Sequence, residues 1–324
     1  MPRWWPTILL GWGYGVLRTG DDSGGHSSSR PAVGLSVIVT SYNSPERLAL
    51  CLEAVTRQPD ATEIIVADCS TRDPSGELAK RFPSVQFLRF SQKKNVPQMR
   101  WAAFRRTSES LVAAVESRCV PAPDWCSKLV EAHRNFPEAP GIGGPVLLAT
   151  PASRTDVALY FSEYGLYLPP IHEGPSPDLS GANLSYKRKA LEEHAGLLDA
   201  GAWETILHQR WQQQGRQLVL CGAAVTFGSS MNVRTILRQR YAYGRGYADD
   251  RVRQRNWLLR PVFAGFSLLL PLLLTWRLGM VAFHRRKLRQ FLGALGWILV
   301  FEAAWAAGEC TGYLFGGSAE VSIF

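Results

Sequence analysis

The sequence of 324 residues contains few cysteines and none in a metal-binding arrangement. Its six cysteines are scattered, without C-x-x-C pairs and without Cys/His ligand spacing. This argues against a small disulfide-stapled domain, which would be unusual at this length, and against the common zinc centres. The expected state is reduced thiols in a domain that faces the cytosol.

The sequence also lacks glycine-rich nucleotide loops. Neither G-x-G-x-x-G nor G-x-x-x-x-G-K-[ST] follows the first apolar run, so the dinucleotide-binding and P-loop classes lose their main support. A mean hydropathy of −0.07 is too polar for a polytopic transporter, although it leaves room for one or two membrane helices. Residues 1–17 do not indicate a clear signal peptide, and residues 19–30 are typical of a flexible linker.

Four short apolar runs recur every 22 to 28 residues, with helical patterns between them. Ser44-Pro45 and Asp73-Pro74 are typical helix starts. This alternation predicts βαβ units, and therefore an α/β fold with a mostly parallel sheet and helices on both faces. Ligands of such sheets bind beyond the carboxyl ends of the strands. The predicted strands are Leu35–Thr40, Glu63–Ala67, Val85–Phe90 and Leu111–Val115.

Small polar and acidic residues stand where three of these strands end. A carboxylate such as Asp68 can accept a hydrogen bond from a ribose hydroxyl or a base N–H, and Glu116 can face a metal ion or a sugar hydroxyl. Strand-end carboxylates are common, so the ordered set carries more weight than any one of them. The strand-end groups are Ser41-Tyr42-Asn43, Asp68-Cys69-Ser70 and Glu116-Ser117-Arg118.

Five motifs in a fixed order resemble the family 2 glycosyltransferases, which have the GT-A fold. The resemblance runs from about Leu35 to Phe227. It implies an inverting transfer of a sugar from a nucleotide-diphosphate sugar to an acceptor hydroxyl. The motifs are S-V-I-V-T-S-Y-N (36–43), E-I-I-V-A-D-C-S-T-R-D (63–73), V-P-A-P-D-W (120–125), G-A-N-L-S-Y-K-R (181–188) and W-E-T-I-L-H-Q-R-W-Q-Q-Q-G (203–215).

The resemblance also implies roles for single residues. Glu204 falls where the family has its catalytic base, although the helix dipole alone favours a carboxylate in a first helical turn. Arg100 would meet the leaving diphosphate or form a surface salt bridge. The remaining implied residues are Thr40, Tyr42, Asn43, Asp68 and Asp73 on the nucleotide-sugar side, and Gly181, Ala182 and Asn183 on the acceptor side.

The sequence departs from the family at two places. The family usually has D-x-D after its fourth strand, where carboxylates bridge a divalent cation to the diphosphate, and this chain has Glu116-Ser117-Arg118. Glu116 can still bind Mg²⁺ or Mn²⁺, which remains the expected cofactor, whereas Arg118 cannot and can itself neutralise phosphate. The acidic pair before the catalytic helix reads Trp203-Glu204. The alternative is a weakened or inactive GT-A module that serves as a membrane-tethered nucleotide-sugar-binding or partner protein.

The net charge of +9 arises from one segment. Residues 231–290 hold thirteen Arg and Lys against two Asp, a local net charge of +11, and the other residues sum to −2. Arginine interleaved with aromatic residues suits nucleic acid or a membrane interface. The apolar runs 261–276 and 291–301 follow, so the expected partner is a lipid surface and no nucleic acid.

The apolar tail leaves two arrangements open. A re-entrant or interfacial helical hairpin keeps both basic clusters on the cytoplasmic face, and two membrane spans are the alternative. The expected location is the membrane, with the catalytic domain facing the cytoplasm and a lipid or lipid-linked acceptor implied by the resemblance. The predicted organisation is an N-terminal segment and linker (1–33), a GT-A domain (34–230), a basic interface segment (231–260) and an apolar hairpin (261–324).

Overall fold

The structure of the protein, a computed structural model, describes residues 34–248 and 260–316 in full and residues 249–253 as helical backbone. The predicted N-terminal linker lies outside the described residues. The strands in the described part are β1 (Leu35–Ser41), β2 (Ala61–Asp68), β3 (Val85–Arg89), β4 (Leu111–Glu116), β5 (Cys119–Pro121), β6 (Gly141–Gly143), β7 (Val146–Leu148), β8 (Gly174–Ser176), β9 (Asn183–Lys187), β10 (Leu218–Leu220) and β11 (Val225–Phe227).

Helices connect these strands and follow them. The described helices are α1 (Pro45–Val55), α2 (Ser75–Arg81), α3 (Val96–Phe104), α4 (Trp125–Asn135), α5 (Arg154–Tyr164), α6 (Arg188–Glu192), α7 (Ala195–Asp199), α8 (Glu204–Gln213), α9 (Val233–Arg253), α10 (Arg260–Ser267), α11 (Leu270–His284) and α12 (Leu288–Phe315). Helix α1 begins at Pro45 as predicted. Helix α2 begins one residue later than predicted, at Ser75, whose N–H donates to Asp73 Oδ1 at 2.8 Å.

An eight-stranded sheet of order β3-β2-β1-β4-β9-β6-β10-β8 carries the fold, beside a second sheet of order β5-β11-β7. Strand β1 pairs in parallel with β2 and β4, and β2 pairs in parallel with β3. Strand β9 is antiparallel to both of its neighbours, β4 and β6. The predicted strands are all present, and the mostly parallel α/β architecture is confirmed.

The sheet is covered on both faces. Every residue of β1 is buried, which is the pattern of a strand with helices on each side. Val37 and Val39 belong to one core cluster, together with residues of α1, α4 and α5. Ile38 belongs to the other, together with residues of α3 and α8. This alternation fixes the register, because a shift of one residue would exchange the two faces.

The last helix, α12, packs on the same core. Phe291, Ile298 and Phe301 belong to the first cluster, and the ring of Phe291 meets that of Phe161 on α5 edge-on, with centroids 5.5 Å apart. A Cβ on Gly308 would lie 2.0 Å from the carbonyl oxygen of Tyr241 on α9. Only glycine fits that approach, so α9 and α12 lie backbone against backbone.

The apolar C-terminal helices also meet the length and composition of membrane segments. Among the described residues, α12 alone is long and apolar enough to cross a bilayer, and 39% of its most apolar window is buried in the protein. Helices α10 and α11 pass the same test only as a pair, and they are bent by 56°. By length and composition, α12 and the bent pair of α10 and α11 are therefore candidate membrane segments.

Candidate active site

The carboxyl ends of β1, β2 and β4 meet at one edge of the sheet. In the strand register Ser41 lies opposite Asp68, and Thr40 lies opposite Glu116. Adjacent strands are about 4.8 Å apart, so the strand-end side chains predicted from the sequence gather within a few strand widths. The buried hydroxyl oxygens of Thr40 and Ser41 find no hydrogen-bond partner among the described residues.

The first group at this edge is a hydrogen-bonded loop, the nucleotide-side loop, built from residues 43, 68, 70, 71, 73 and 89. Asp68 is buried, and its carboxylate accepts hydrogen bonds from the N–H of Ser70 at 3.1 Å and from its hydroxyl at 2.6 Å. Asn43 has a φ of +46°, which an asparagine tolerates, and its Oδ1 accepts from the Thr71 N–H at 2.9 Å. The loop is thus held rigid by its own polar groups.

Arg89 at the end of β3 completes this loop. Its guanidinium pairs with the Asp68 carboxylate, donates to the carbonyl oxygen of Ser70 at 2.6 Å, and lies 3.3 Å from Asp73 Oδ1. Asp73 itself is exposed, and hydrogen bonds from Ser75 lower the pKa of its carboxyl, with a smaller contribution from Arg89. Arg89 was not among the predicted site residues. Arg89 lies opposite Asp68 in the β2–β3 register, and its place near the end of the third predicted strand is the sequence feature that could have indicated it.

Tyr42 lies next to this loop and is half-buried, with its ring packed on the second core cluster. Burial raises the pKa of its hydroxyl, and the neighbouring Cys69 contributes in the same direction. Tyr42 therefore presents a protonated hydroxyl at the same edge as the nucleotide-side loop.

The second group is a chain of buried charges, the ionic cluster, formed by Glu204, Arg100, Glu116, Arg118 and Glu163. Arg100 on α3 pairs with Glu204 at the start of α8 and donates to the carbonyl oxygen of Gly181 at 2.5 Å. A Cβ on Gly181 would lie 3.1 Å from Arg100 Nη1, so glycine there leaves room for the guanidinium. The structure thus brings three predicted residues, Arg100, Gly181 and Glu204, into contact.

Arg100 also links the base candidate to the strand end. Its Nη2 lies 3.6 Å from Glu116 Oε1, while Glu116 Oε2 accepts from Arg118 Nη2 at 3.2 Å and from the Tyr164 hydroxyl at 3.3 Å. Arg118 Nη2 also lies 3.3 Å from Glu163 on α5. The cluster alternates in charge along its length and contains three carboxylates and two guanidiniums.

Burial strengthens every interaction in this cluster. The side chains of Arg100 and Arg118 are each 9% exposed. Burial by itself would lower the pKa of Arg100, but Glu204 and Glu116 outweigh it and the pKa lies above its ordinary value. Burial raises the pKa of Glu163, with Arg118 opposing that change. Both guanidiniums therefore stay charged.

The ionic cluster does not fit a divalent cation. Mg²⁺ and Mn²⁺ prefer several oxygen ligands, yet both carboxylate oxygens of Glu116 face guanidinium groups or the Tyr164 hydroxyl. Within residues 34–248 and 260–316, no group of three or more His, Cys, Asp or Glu side chains is arranged to hold a metal ion. As placed, Glu116 is an ion-pair partner of both arginines, and its contact with a metal ion stays a prediction.

Of the predicted acceptor-side residues, one contacts the ionic cluster and two are buried in the fold. Gly181 contacts the cluster through its carbonyl oxygen, which accepts from Arg100. Asn183 is fully buried, and its carboxamide accepts from the Trp125 Nε1–H at 2.8 Å and donates to the carbonyl oxygens of Pro145 and Ala223 at 3.0 and 2.8 Å. Ala182 is buried between them. Asn183 thus connects β9 to neighbouring loops, and Gly181 is the residue of this segment that contacts Arg100.

Sequence reasoning also missed the residues that enclose the cluster. Glu163 and Tyr164 come from α5. Tyr243 of the predicted interface segment is half-buried, and burial first and the charge of Glu163 second raise the pKa of its hydroxyl. His208 follows Glu204 by one turn of α8. It pairs with Asp178, and its Nε2 lies 2.6 Å from the Tyr186 hydroxyl oxygen. Glu163, Tyr164 and Tyr243 lie outside the five motifs, and His208 lies inside the last of them. The contacts of these residues could not be predicted, because their partners are distant in the chain.

Comparisons with known proteins agree with this architecture. Residues 36–194 match the family model described as Glycosyl transferase family 2. Glycosyltransferase AglE of Haloferax volcanii is 26% identical over 101 residues, which are 29% of this chain, and the match spans 33% of that protein. The mannosyltransferase PcManGT of Pyrobaculum calidifontis, solved with GDP-Man and Mn²⁺, superposes with a TM-score of 0.55 at 15% identity over 88% of each chain. At that identity the likeness shows the fold.

Proposed function

The chain belongs to the family 2 glycosyltransferases, with the GT-A fold, through its residues 36–194, and on this premise we propose that it transfers a sugar from a nucleotide-diphosphate sugar to an acceptor hydroxyl with inversion. The observation that carries the proposal is the convergence of Glu204, Arg100 and Gly181 at the sheet edge that also holds the nucleotide-side loop. Ligands of parallel sheets bind at this edge.

The nucleotide would occupy the side of the edge formed by β1 and β2. Asp68 and Asn43 are fixed there by the loop contacts described above, and carboxylate and amide groups suit the hydroxyls of a ribose and the edge of a base. The hydroxyls of Thr40 and Ser41 are buried at the same strand end and have no hydrogen-bond partner among the described residues. Arg89 acts as a positioning residue, because it holds Asp68 and Asp73 in place.

Glu204 would be the general base. As the acceptor oxygen attacks the anomeric carbon, its proton passes to the Glu204 carboxylate, and the bond from the anomeric carbon to the diphosphate breaks on the opposite side. The electron pair of that bond leaves with the nucleoside diphosphate. Arg100 stands between Glu204 and Glu116, so its positive charge lies where negative charge accumulates on the leaving group.

The C-terminal helices would hold this site at a membrane surface. Large apolar side chains are exposed along α10 and α11 and at the break between them, among them Leu269, Leu272 and Trp276. Exposed apolar surface of this kind marks an interaction site, and the basic residues at 285–289, where α11 ends and α12 begins, suit anionic headgroups. Because α12 packs on the catalytic core, we favour an interfacial arrangement of these helices. We also propose a lipid or lipid-linked acceptor. The proposed domains keep the limits predicted from the sequence, 34–230 for the GT-A domain, 231–260 for the basic interface segment and 261–324 for the apolar hairpin.

Replacing Leu269, Leu272 and Trp276 together by serine should lower membrane binding by about tenfold or more, because each large apolar side chain contributes roughly 1.5–3 kcal/mol on burial. The measurement is co-sedimentation of the purified chain with vesicles that contain anionic lipid. Leu50→Ser, which removes an exposed leucine from α1, is the matched control and should bind as the parent does. Equal binding of the triple variant and the parent would contradict the membrane assignment.

The experiment that tests the proposed function is a thermal-shift panel of nucleotide-diphosphate sugars on the full chain. One donor should raise the midpoint of thermal unfolding, since a ligand that binds only the folded state stabilises by about 2.7 kcal/mol at one hundred times its Kd. The corresponding nucleoside diphosphate should give a similar shift. If no nucleotide sugar and no nucleoside diphosphate shifts the midpoint, the proposed function is wrong.

A further inference from the structure

We infer that Arg100 and Arg118 take the electrostatic place of a divalent cation, so that this chain binds the diphosphate of its donor and transfers the sugar without a metal ion. The inference rests on the proposed function and adds to it the way in which the leaving group is held. Glu116 was expected to bind a metal ion, but its carboxylate faces the guanidinium groups of Arg100 and Arg118.

The charges at the end of β4 sum as they would with a metal present. Two carboxylates that hold a divalent cation have a total charge of zero. Glu116 and Arg118, which occupy the same two positions in the sequence, also sum to zero. Arg100 beside them is offset by Glu204, and Glu163 brings the formal charge of the whole ionic cluster to −1. The two guanidiniums therefore supply positive charge at the place where the diphosphate would bind, as a metal ion held by two carboxylates would.

The same contacts disfavour the binding of a metal cation to Glu116. Each side of Glu116 is faced by a buried guanidinium, with Arg100 Nη2 at 3.6 Å from one oxygen and Arg118 Nη2 at 3.2 Å from the other. A metal ion on Glu116 would have to displace these groups or remain beside two like charges in a poorly hydrated place. Like charges at such distances repel by several kcal/mol even at an effective dielectric constant of about 20.

Each arginine has an N–H donor that lacks a good hydrogen-bond acceptor among the described residues. Arg100 Nε is buried and has no hydrogen-bond partner among the described residues. Arg118 uses Nη2 for both of its carboxylates, and among the described residues its Nη1 has a hydrogen bond only to the sulfur of Met231, at 4.0 Å. Guanidinium groups present planar arrays of N–H donors that match phosphate oxygens, and they stay charged when buried.

Glu163 helps to hold the guanidinium of Arg118 in position. It lies on α5, outside the five motifs, and its carboxylate lies 3.3 Å from Arg118 Nη2, the same nitrogen that donates to Glu116. One of its oxygens has no hydrogen-bond partner in the part of the chain that the structure describes. Glu163 is thus a positioning residue that orients Arg118 toward the strand end.

The test measures the affinity of the full chain for nucleoside diphosphates by titration calorimetry, using UDP and GDP, first with excess EDTA and then with added MnCl₂. The inference expects Kd values that agree within about twofold, since the arginines supply the charge in both conditions. Arg118→Gln should weaken binding in EDTA by roughly 10- to 100-fold, because a charge-assisted hydrogen bond contributes about 1.5–3 kcal/mol. Arg118→Lys should fall between the two, and Arg106→Gln, at an exposed arginine two residues beyond the end of α3, should match the parent.

The outcomes separate the inference from the proposed function. Binding that disappears in EDTA and returns with Mn²⁺ overturns the inference and leaves the proposed function standing. Absence of binding in both conditions overturns both. The comparison of EDTA with Mn²⁺ uses the parent chain, so it decides the inference even if Arg118→Gln fails to fold.

Discussion

Glu204→Gln should lower kcat for sugar transfer by about a thousandfold while leaving the Kd for the nucleotide sugar within a few-fold of the parent value. The carboxylate is the group placed to take the acceptor proton, and general-base catalysis contributes typically 10²- to 10⁴-fold. Glutamine keeps the size of the side chain and an oxygen that accepts from Arg100, so the site should stay assembled. The measurement is steady-state release of nucleoside diphosphate, with kcat separated from KM.

The matched control is Glu77→Gln, which neutralises an exposed carboxylate in the first turn of α2, as Glu204 stands in the first turn of α8. It should turn over at the parent rate. A Glu204→Gln variant with unchanged kcat would show that another group accepts the proton. A loss of nucleotide binding in that variant would instead assign Glu204 a role in holding Arg100.

Glu302→Leu should lower the free energy of unfolding by about 3–5 kcal/mol, because it leaves the buried guanidinium of Arg240 without its counter-charge. Arg240 is 5% exposed and Glu302 2% exposed, and Arg240 Nη2 donates to both carboxylate oxygens at 3.0 and 2.9 Å. The Arg240 guanidinium also lies 4.7 Å from the ring centroid of Trp305. The measurement is urea unfolding of the full chain in mild detergent.

The double variant Arg240→Met with Glu302→Leu should recover most of that loss, since replacing a buried ion pair by apolar side chains of similar volume is often neutral or stabilising. Recovery would show that the unpaired charge causes the destabilisation. If Glu302→Leu alone unfolds at the parent urea concentration, then α12 does not pack on α9 as described. In that case the interfacial arrangement of the C-terminal helices would lose its support.

The sheet could be predicted because its signals are local. The buried runs that became β1, β2 and β4 are continuous in the sequence, and the polar residues that follow them fall at the strand ends whatever the rest of the chain does. Glu204 could likewise be placed on the first turn of a helix. These positions depend on neighbours within about ten residues.

The partners of those residues could not be predicted, because they come from distant segments. Glu116 looked like a metal ligand from its place in the sequence, yet Arg100, Arg118 and Tyr164 occupy both of its oxygens. Arg240 belongs to the basic segment expected to meet lipid, but its guanidinium is buried against Glu302, 62 residues away in the chain. Charge can be read from a sequence, whereas the group that compensates it depends on packing.

The most direct test of the central claim is transfer of label from each of a set of nucleotide-diphosphate sugars to a lipid extract by the full-length chain, with the anomeric configuration of the product determined by NMR. We predict that one donor is consumed and that its sugar appears in the product with the configuration at the anomeric carbon opposite to that in the donor. Retained configuration would contradict the single-displacement role of Glu204. A donor that binds without transfer to any acceptor would make the chain a nucleotide-sugar-binding module and contradict its assignment as an active transferase.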